Sequence, residues 1–166
     1  MHLGEWESGR QSNPVDMIEL VAATRDWSFE RPCDDEIAVS VRGVWTDYSV
    51  SFSWMEAVEA LHLGCAFSMK VPARRETEVL RLLARINEQL VFGHFDLWAS
   101  EGAIMFRHAL LLCGGAEPTR EQAERLLASA LEACERYYQA FQFVVWADKD
   151  AASALSCAVF DTVGNA

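Results

Sequence analysis

The stretch Ile37-Ala38-Val39-Ser40-Val41-Arg42-Gly43-Val44-Trp45-Thr46-Asp47-Tyr48-Ser49-Val50-Ser51-Phe52-Ser53-Trp54 decides the fold class. Large apolar residues alternate with small or polar ones along it, the period of a half-buried strand. Reading Thr46-Asp47 as a two-residue hairpin turn sets Trp45 opposite Tyr48, Val41 opposite Phe52 and Val39 opposite Trp54. That register gathers the large apolar side chains on one face and the serines on the other, and a slip of one residue would destroy it. Thr-Asp is not the Asn-Gly type that such turns favour, so the alternation carries the pairing. Leu61, Leu63, Cys65, Phe67 and Met69 continue the pattern as a third strand, closed by Pro72.

On either side the period changes to that of a helix. Asn13 is placed as an N-cap with Pro14 at the first helical position and Asp16 near the positive end of the helix dipole. Met17, Ile18, Leu20, Val21 and Ala22 follow as an apolar stripe that fades near Trp27. Arg31-Pro32 and Asp34-Asp35 read as a linker into the first strand. Downstream, Arg74 to Leu90 predicts a second helix with Val79, Leu82, Leu83, Ile86 and Leu90 on one side, ended by Gly93. His94 to Ala99 and Ala103 to Leu112 read as a second hairpin around Ser100-Glu101-Gly102. Thr119 and Gln122 have capping-box spacing, and the long stripe Ala123, Leu126, Leu127, Ala130, Leu131, Cys134, Tyr138, Phe141 and Val145 predicts the longest helix. A short last helix spans about Asp148 to Ala158. The order is α-βββ-α-ββ-α with a small C-terminal piece: an α+β fold, an antiparallel sheet with helices packed on one face.

The chain has 166 residues, 14 basic and 25 acidic, for a net charge of −11. A chain of this length buries roughly 70% of its unfolded surface in one ordinary core. The hydrophobic share of 51% is too high for a disordered protein. The acidic balance excludes binding of nucleic-acid phosphates or anionic lipid by bulk electrostatics, and predicts neutral or basic partner segments. Five scattered cysteines, with no CxxC pair, fit neither a disulfide framework nor a structural zinc site. Nothing at the N-terminus resembles a signal peptide and no apolar run reaches about 18 residues, so a cytoplasmic protein is expected. Residues 1–12 read as a flexible leader and 13–166 as a single domain.

Chemistry-bearing residues are few. With the second hairpin paired as above, His94 and His108 fall opposite each other on the face that carries Asp96, a possible ligand or metal site. Two imidazoles and one carboxylate fall short of a zinc site without a further ligand, and two histidines at a sheet edge need no ligand at all. Cys65, Cys113 and Cys134 lie on apolar stripes, where a thiol is core filling; Cys33 is the exposed thiol. Glu76, Glu78, Glu121, Glu124, Glu132 and Glu135 interleave with arginines on helix faces, which makes solvated, salt-paired surfaces rather than an acid–base pair. No phosphate loop, nucleophile elbow or HExxH motif occurs, so no cofactor and no catalytic residue is expected. Among the aromatics, Trp54, Phe95 and Trp98 are the candidate protein-contact residues.

A resemblance adds to this. Leu90-Val91-Phe92-Gly93-His94-Phe95, Arg107-His108, Gly114-Gly115-Ala116, the run Leu131 to Gln142 and the ending Thr162-Val163-Gly164-Asn165-Ala166 resemble the YbjN family of bacterial sensory transduction regulators. Trp45-Thr46-Asp47-Tyr48 and Phe52-Ser53-Trp54 fit as well. The resemblance implies a type III secretion chaperone-like fold and a non-enzymatic, often homodimeric, protein-binding module of bacterial stress or signalling. The alternative expectation is a small-ligand or metal sensor using a cavity near His94 and His108; a catalytic role comes third.

Overall fold

The alternation in Ile37–Trp54 builds two neighbouring strands of an antiparallel sheet in the computed structural model of the chain, which describes residues 10–163. The elements are α1 (Pro14–Thr24), β1 (Ser28–Cys33), β2 (Glu36–Arg42), β3 (Asp47–Met55), β4 (Ala60–Lys70), α2 (Glu76–Asn87), β5 (His94–Trp98), β6 (Ala103–Leu111), α3 (Arg120–Val145) and α4 (Ala151–Val163). The six strands lie in the order β1-β2-β3-β4-β6-β5, all pairs antiparallel. One face carries the buried large apolar residues. Ile37, Val39, Tyr48, Val50, Phe52, Leu61, Leu63, Cys65, Phe67, Phe95, Ile104 and Phe106 are buried there. The other face presents Ser40, Ser49, Ser51, Ala66 and Ser68 to solvent.

Three sequence expectations need correction. First, Ser28–Cys33 is a strand, not a linker. As the outer strand of the sheet it is exposed at almost every position, so no alternation marks it; Asp34-Asp35 is its turn into β2.

Second, the β2–β3 hairpin pairs Val41 with Tyr48, Val39 with Val50 and Ile37 with Phe52. The loop is Gly43–Thr46 rather than Thr46-Asp47, which moves the register by four residues. An even shift leaves every side chain on its expected face, so the amphipathic reading holds while the partners change. The longer loop is closed by Gly43 N–H donating to the Thr46 carbonyl (2.9 Å) and Val44 N–H donating to the Glu135 carboxylate of α3 (2.8 Å). A Cβ on Gly43 would lie 1.9 Å from that carboxylate oxygen, so this contact requires glycine.

Third, β5 and β6 pair Trp98 with Ala103 and His94 with Arg107. The loop has one residue more than expected, and an odd shift turns one strand over relative to the other.

The helices follow their sequence signals. Asn13 caps α1 by accepting from Val15 N–H, with Pro14 in the first turn. Arg31 on β1 reaches back to Asp16 (2.6 Å) and Glu19 of α1 and fastens the outer strand to it. Thr119 and Gln122 form the full capping box of α3. α3 crosses the apolar face, burying Leu126, Leu127, Cys134, Tyr138, Phe141 and Val145; each large side chain contributes about 1.5–3 kcal/mol on full burial. Phe67 is the hub of this packing. Its ring lies 5.1 Å from Tyr138, 5.5 Å from Phe141, 5.9 Å from Phe95 and 6.3 Å from Tyr48. Phe67→Ala therefore removes ring contacts to two strands and to α3 at once. It is expected to cost about 3–5 kcal/mol in urea unfolding; a loss under about 1 kcal/mol would show that the cluster closes around the gap.

Candidate polypeptide-binding site

A sheet with one apolar face still has edges, and an unpaired edge is a row of free backbone donors and acceptors. Two of the edges here are guarded. β1 carries Pro32 and an irregular register between Glu30 and Cys33; proline and bulges both disfavour further pairing. Along β5, the Asn87 side chain of α2 takes the place of a neighbouring strand. Its Oδ1 accepts from Phe95 N–H (2.8 Å) and its Nδ2 donates to the Phe95 carbonyl (3.0 Å).

Among the described residues, a third edge is open. β5 begins at His94 opposite Arg107, so β6 runs on through His108, Ala109, Leu110 and Leu111 with no described strand beside it. Gly93 causes the break: its φ of +68° turns Val91-Phe92 off the line of β5, and a Cβ there would lie 2.4 Å from the Phe106 ring. Strand parity fixes which groups are exposed. Leu112 N–H bonds Glu59 at the end of β4, so even-numbered residues of β6 face β4, and the N–H and C=O of Ala109 and Leu111 face the open position.

Beside that position lies a groove of about 420 Å³ between the end of β6 and α3, lined by Phe92, His108, Leu110, Gln122, Leu126 and Ser129. Phe92 in its lining is apolar and 63% exposed. A free backbone edge next to an apolar groove is the arrangement that takes up an extended segment as an added strand.

The sequence-selected residues distribute unevenly around this site. His94 and Asp96 lie on the solvent face with Arg107, while His108 is two positions from buried Phe106 on the inner face. The expected direct pairing of His94 with His108 is thus corrected to His94 with Arg107, a consequence of the one-residue longer loop. Both histidines still border a depression of about 390 Å³ at the strand end, together with His62 and Arg107. Arg107 Nε meets His62 Nε2 at 3.3 Å, and its guanidinium lies 3.5 Å from Asp96. Burial, then the Arg107 charge, then His94 holds the His62 imidazole below its ordinary pKa; burial and then His94 do the same for His108. Among the described residues, no group of three or more His, Cys, Asp or Glu side chains is placed to hold a metal ion.

The contact aromatics do not converge. Phe95 is buried in the core, because the same register puts it on the inner face beside Phe106 and Phe67. Trp54 is roofed by the Arg10 guanidinium, 4.5 Å from its ring centre. Arg10 is itself held by the carbonyls of Leu112 (2.7 Å) and Ala116 (2.5 Å), so the end of the expected leader, residues 10–12, is docked on the fold; the rest of that leader and Trp6 lie outside the described residues. Trp98 is 39% exposed at the far end of β5, away from the groove.

Cys65 and Cys134 are buried core thiols, with the pKa of Cys134 raised by its hydrogen bond to Cys65 and by burial. Cys113, expected in the core, is exposed because β6 ends at Leu111. Sequence reasoning missed Asn87, Phe92, Ala109 and Leu110. An isolated Phe just before a turn glycine was their one available signal.

The comparisons with known proteins agree with this architecture. A family model named YbjN, "Putative bacterial sensory transduction regulator", matches residues 14–143. The crystal structure of YbjN from E. coli superimposes with a TM-score of 0.54 at 12% identity, covering 73% of this chain and 85% of that one. A chain of the ExsC–ExsE complex superimposes with a TM-score of 0.54 at 21% identity, covering 76% of this chain and 94% of that one. These likenesses show the fold, an α+β, secretion-chaperone-like sheet with helices on one face. No curated protein is significantly similar to the chain.

Two outcomes test the site's physical description. Asn87→Ala leaves the Phe95 N–H and C=O unpaired, with an expected cost of about 1–3 kcal/mol and faster hydrogen exchange at Phe95; unchanged exchange would show that the amide is not the edge guard. The histidines give a pH signature. Their folded pKa values lie below the reference of 6.5, so the unfolded chain takes up protons first. Their stabilising share is complete above about pH 6.5 and is lost as pH falls through the lowered folded values. Urea midpoints between pH 7.5 and 5 should therefore fall less steeply in His62→Gln/His108→Gln than in the parent chain, and equal slopes would contradict the assignment.

Proposed function

This chain belongs to the YbjN family, and from that premise we propose that it is a non-enzymatic regulatory protein that binds a polypeptide segment as an added strand on β6. Family membership and fold support a regulatory or protein-binding role. The observation that carries the finer reading is the asymmetry of the edges: β1 and β5 are guarded by Pro32 and Asn87, while β6 is open at Ala109 and Leu111 beside an apolar groove. A sheet that blocks two edges and leaves a third beside exposed Phe92 has its recognition surface there. The ExsC–ExsE structure is of a protein complex, which supports polypeptide binding by this fold. No helix among the described residues is long and apolar enough to cross a membrane. All five thiols are unpaired, which supports the cytoplasm as the compartment; a homodimer, as the family resemblance implies, is part of the same reading.

Ala109→Pro removes an N–H that faces the open position, without removing a bond of the β4–β6 ladder. Peptides selected by display against the parent protein are expected to lose binding to this variant, while its thermal unfolding stays within a few degrees of the parent. Binders indifferent to Ala109→Pro would overturn strand addition at β6.

A further inference from the structure

The open position beside β6 has two faces of different chemistry. A segment paired there continues the line of β5 past His94, so the residue opposite Ala109 stands two places beyond His94, which is opposite Arg107. Parity puts that residue on the solvent face, where β4 supplies His62 opposite Ala109. Its two neighbours, opposite His108 and Leu110, point inward to the groove. The two sides thus dictate different side chains at successive positions of the guest.

We propose, resting on the strand-addition reading above, that the segment bound by this protein reads apolar–acidic–apolar, with its central Asp or Glu carboxylate over His62, His94 and Arg107 and its flanking side chains in the groove against Leu110 and Leu126. The small side chain of Ala109 leaves the space into which the carboxylate fits. On this face the facing charged and titratable groups are His62 of β4, His94 and Asp96 of β5, and Arg107 of β6. The groove itself is lined by His108 of β6 and by Arg125 and Glu132 of α3, one charge of each sign. A distance of 3.5 Å from Arg107 to Asp96 is long for an Arg–carboxylate bond, so the guanidinium keeps capacity for a second carboxylate. The net charge of −11 predicts neutral or basic partners for the protein as a whole; this face is the local exception, with Arg107, His62 and His94 beside Asp96.

Three nine-residue peptides test this, identical except for Glu, Gln or Lys between a central Val and Ile, titrated calorimetrically into the full chain. The expected order is Glu, then Gln, then Lys, with Glu ahead of Lys by about tenfold at low salt. The gap should narrow in high salt. Arg107→Gln should bring the Glu and Gln peptides together, and His94→Glu, at an exposed strand end, should move the preference to Lys; thermal unfolding confirms that each variant is folded. Equal affinities that Ala109→Pro abolishes would overturn the acidic centre while leaving strand addition standing. If no peptide binds, strand addition falls and the acidic centre with it.

Discussion

One face of the sheet must be kept dry, and the rest of the molecule follows from that constraint. The sheet buries its large residues on a single side, and the long helix α3 crosses that side with an apolar stripe of its own. Phe67, touching Tyr48, Phe95, Tyr138 and Phe141, is where strand and helix meet most closely. Because the helices gather on the buried side, the small-residue face of the sheet stays in water. The tie between Glu135 and the Gly43–Thr46 loop, and the one between Arg31 and α1, hold sheet and helices in fixed relation at their margins.

On the proposed reading, function resides in how the sheet ends. An antiparallel sheet closes on itself only as a barrel; an open one must dispose of its edges. This chain spends a proline on β1 and an asparagine on β5, and among the described residues nothing pairs with the last four residues of β6 on that side, where Gly93 lifts the chain away. The same turn that opens the edge also exposes Phe92 along the groove. In the proposed mode, backbone pairing would supply affinity without regard to sequence, and the two faces beside it would supply selectivity.

Much of this architecture was legible in the alternation of Ile37 to Met69 and in the stripe from Ala123 to Val145, because burial on one face imposes those periods directly. The caps at Asn13 and Thr119 were legible for the same local reason. Register was less so. Loop length sets it, and loops closed by distant groups, such as the one that Glu135 of α3 holds, leave no local mark. In the first hairpin the error was even and harmless; in the second it was odd, and it moved His108 to the inner face. β1 was invisible because an exposed edge strand has no dry side to enforce a pattern. The site itself was legible only in fragments: His94 and His108 border it, but the open edge is a property of pairing, and a pairing that stops leaves no residue signature.

Site-resolved amide hydrogen exchange on the free protein tests the central claim most directly. If β6 is open, the amides of Ala109 and Leu111 exchange quickly while those of His108 and Leu110, bonded to β4, are protected, and the fast pair becomes slow when an extended peptide binds. Protection of Ala109 and Leu111 in the free protein would mean that the edge is already occupied, and would contradict the account.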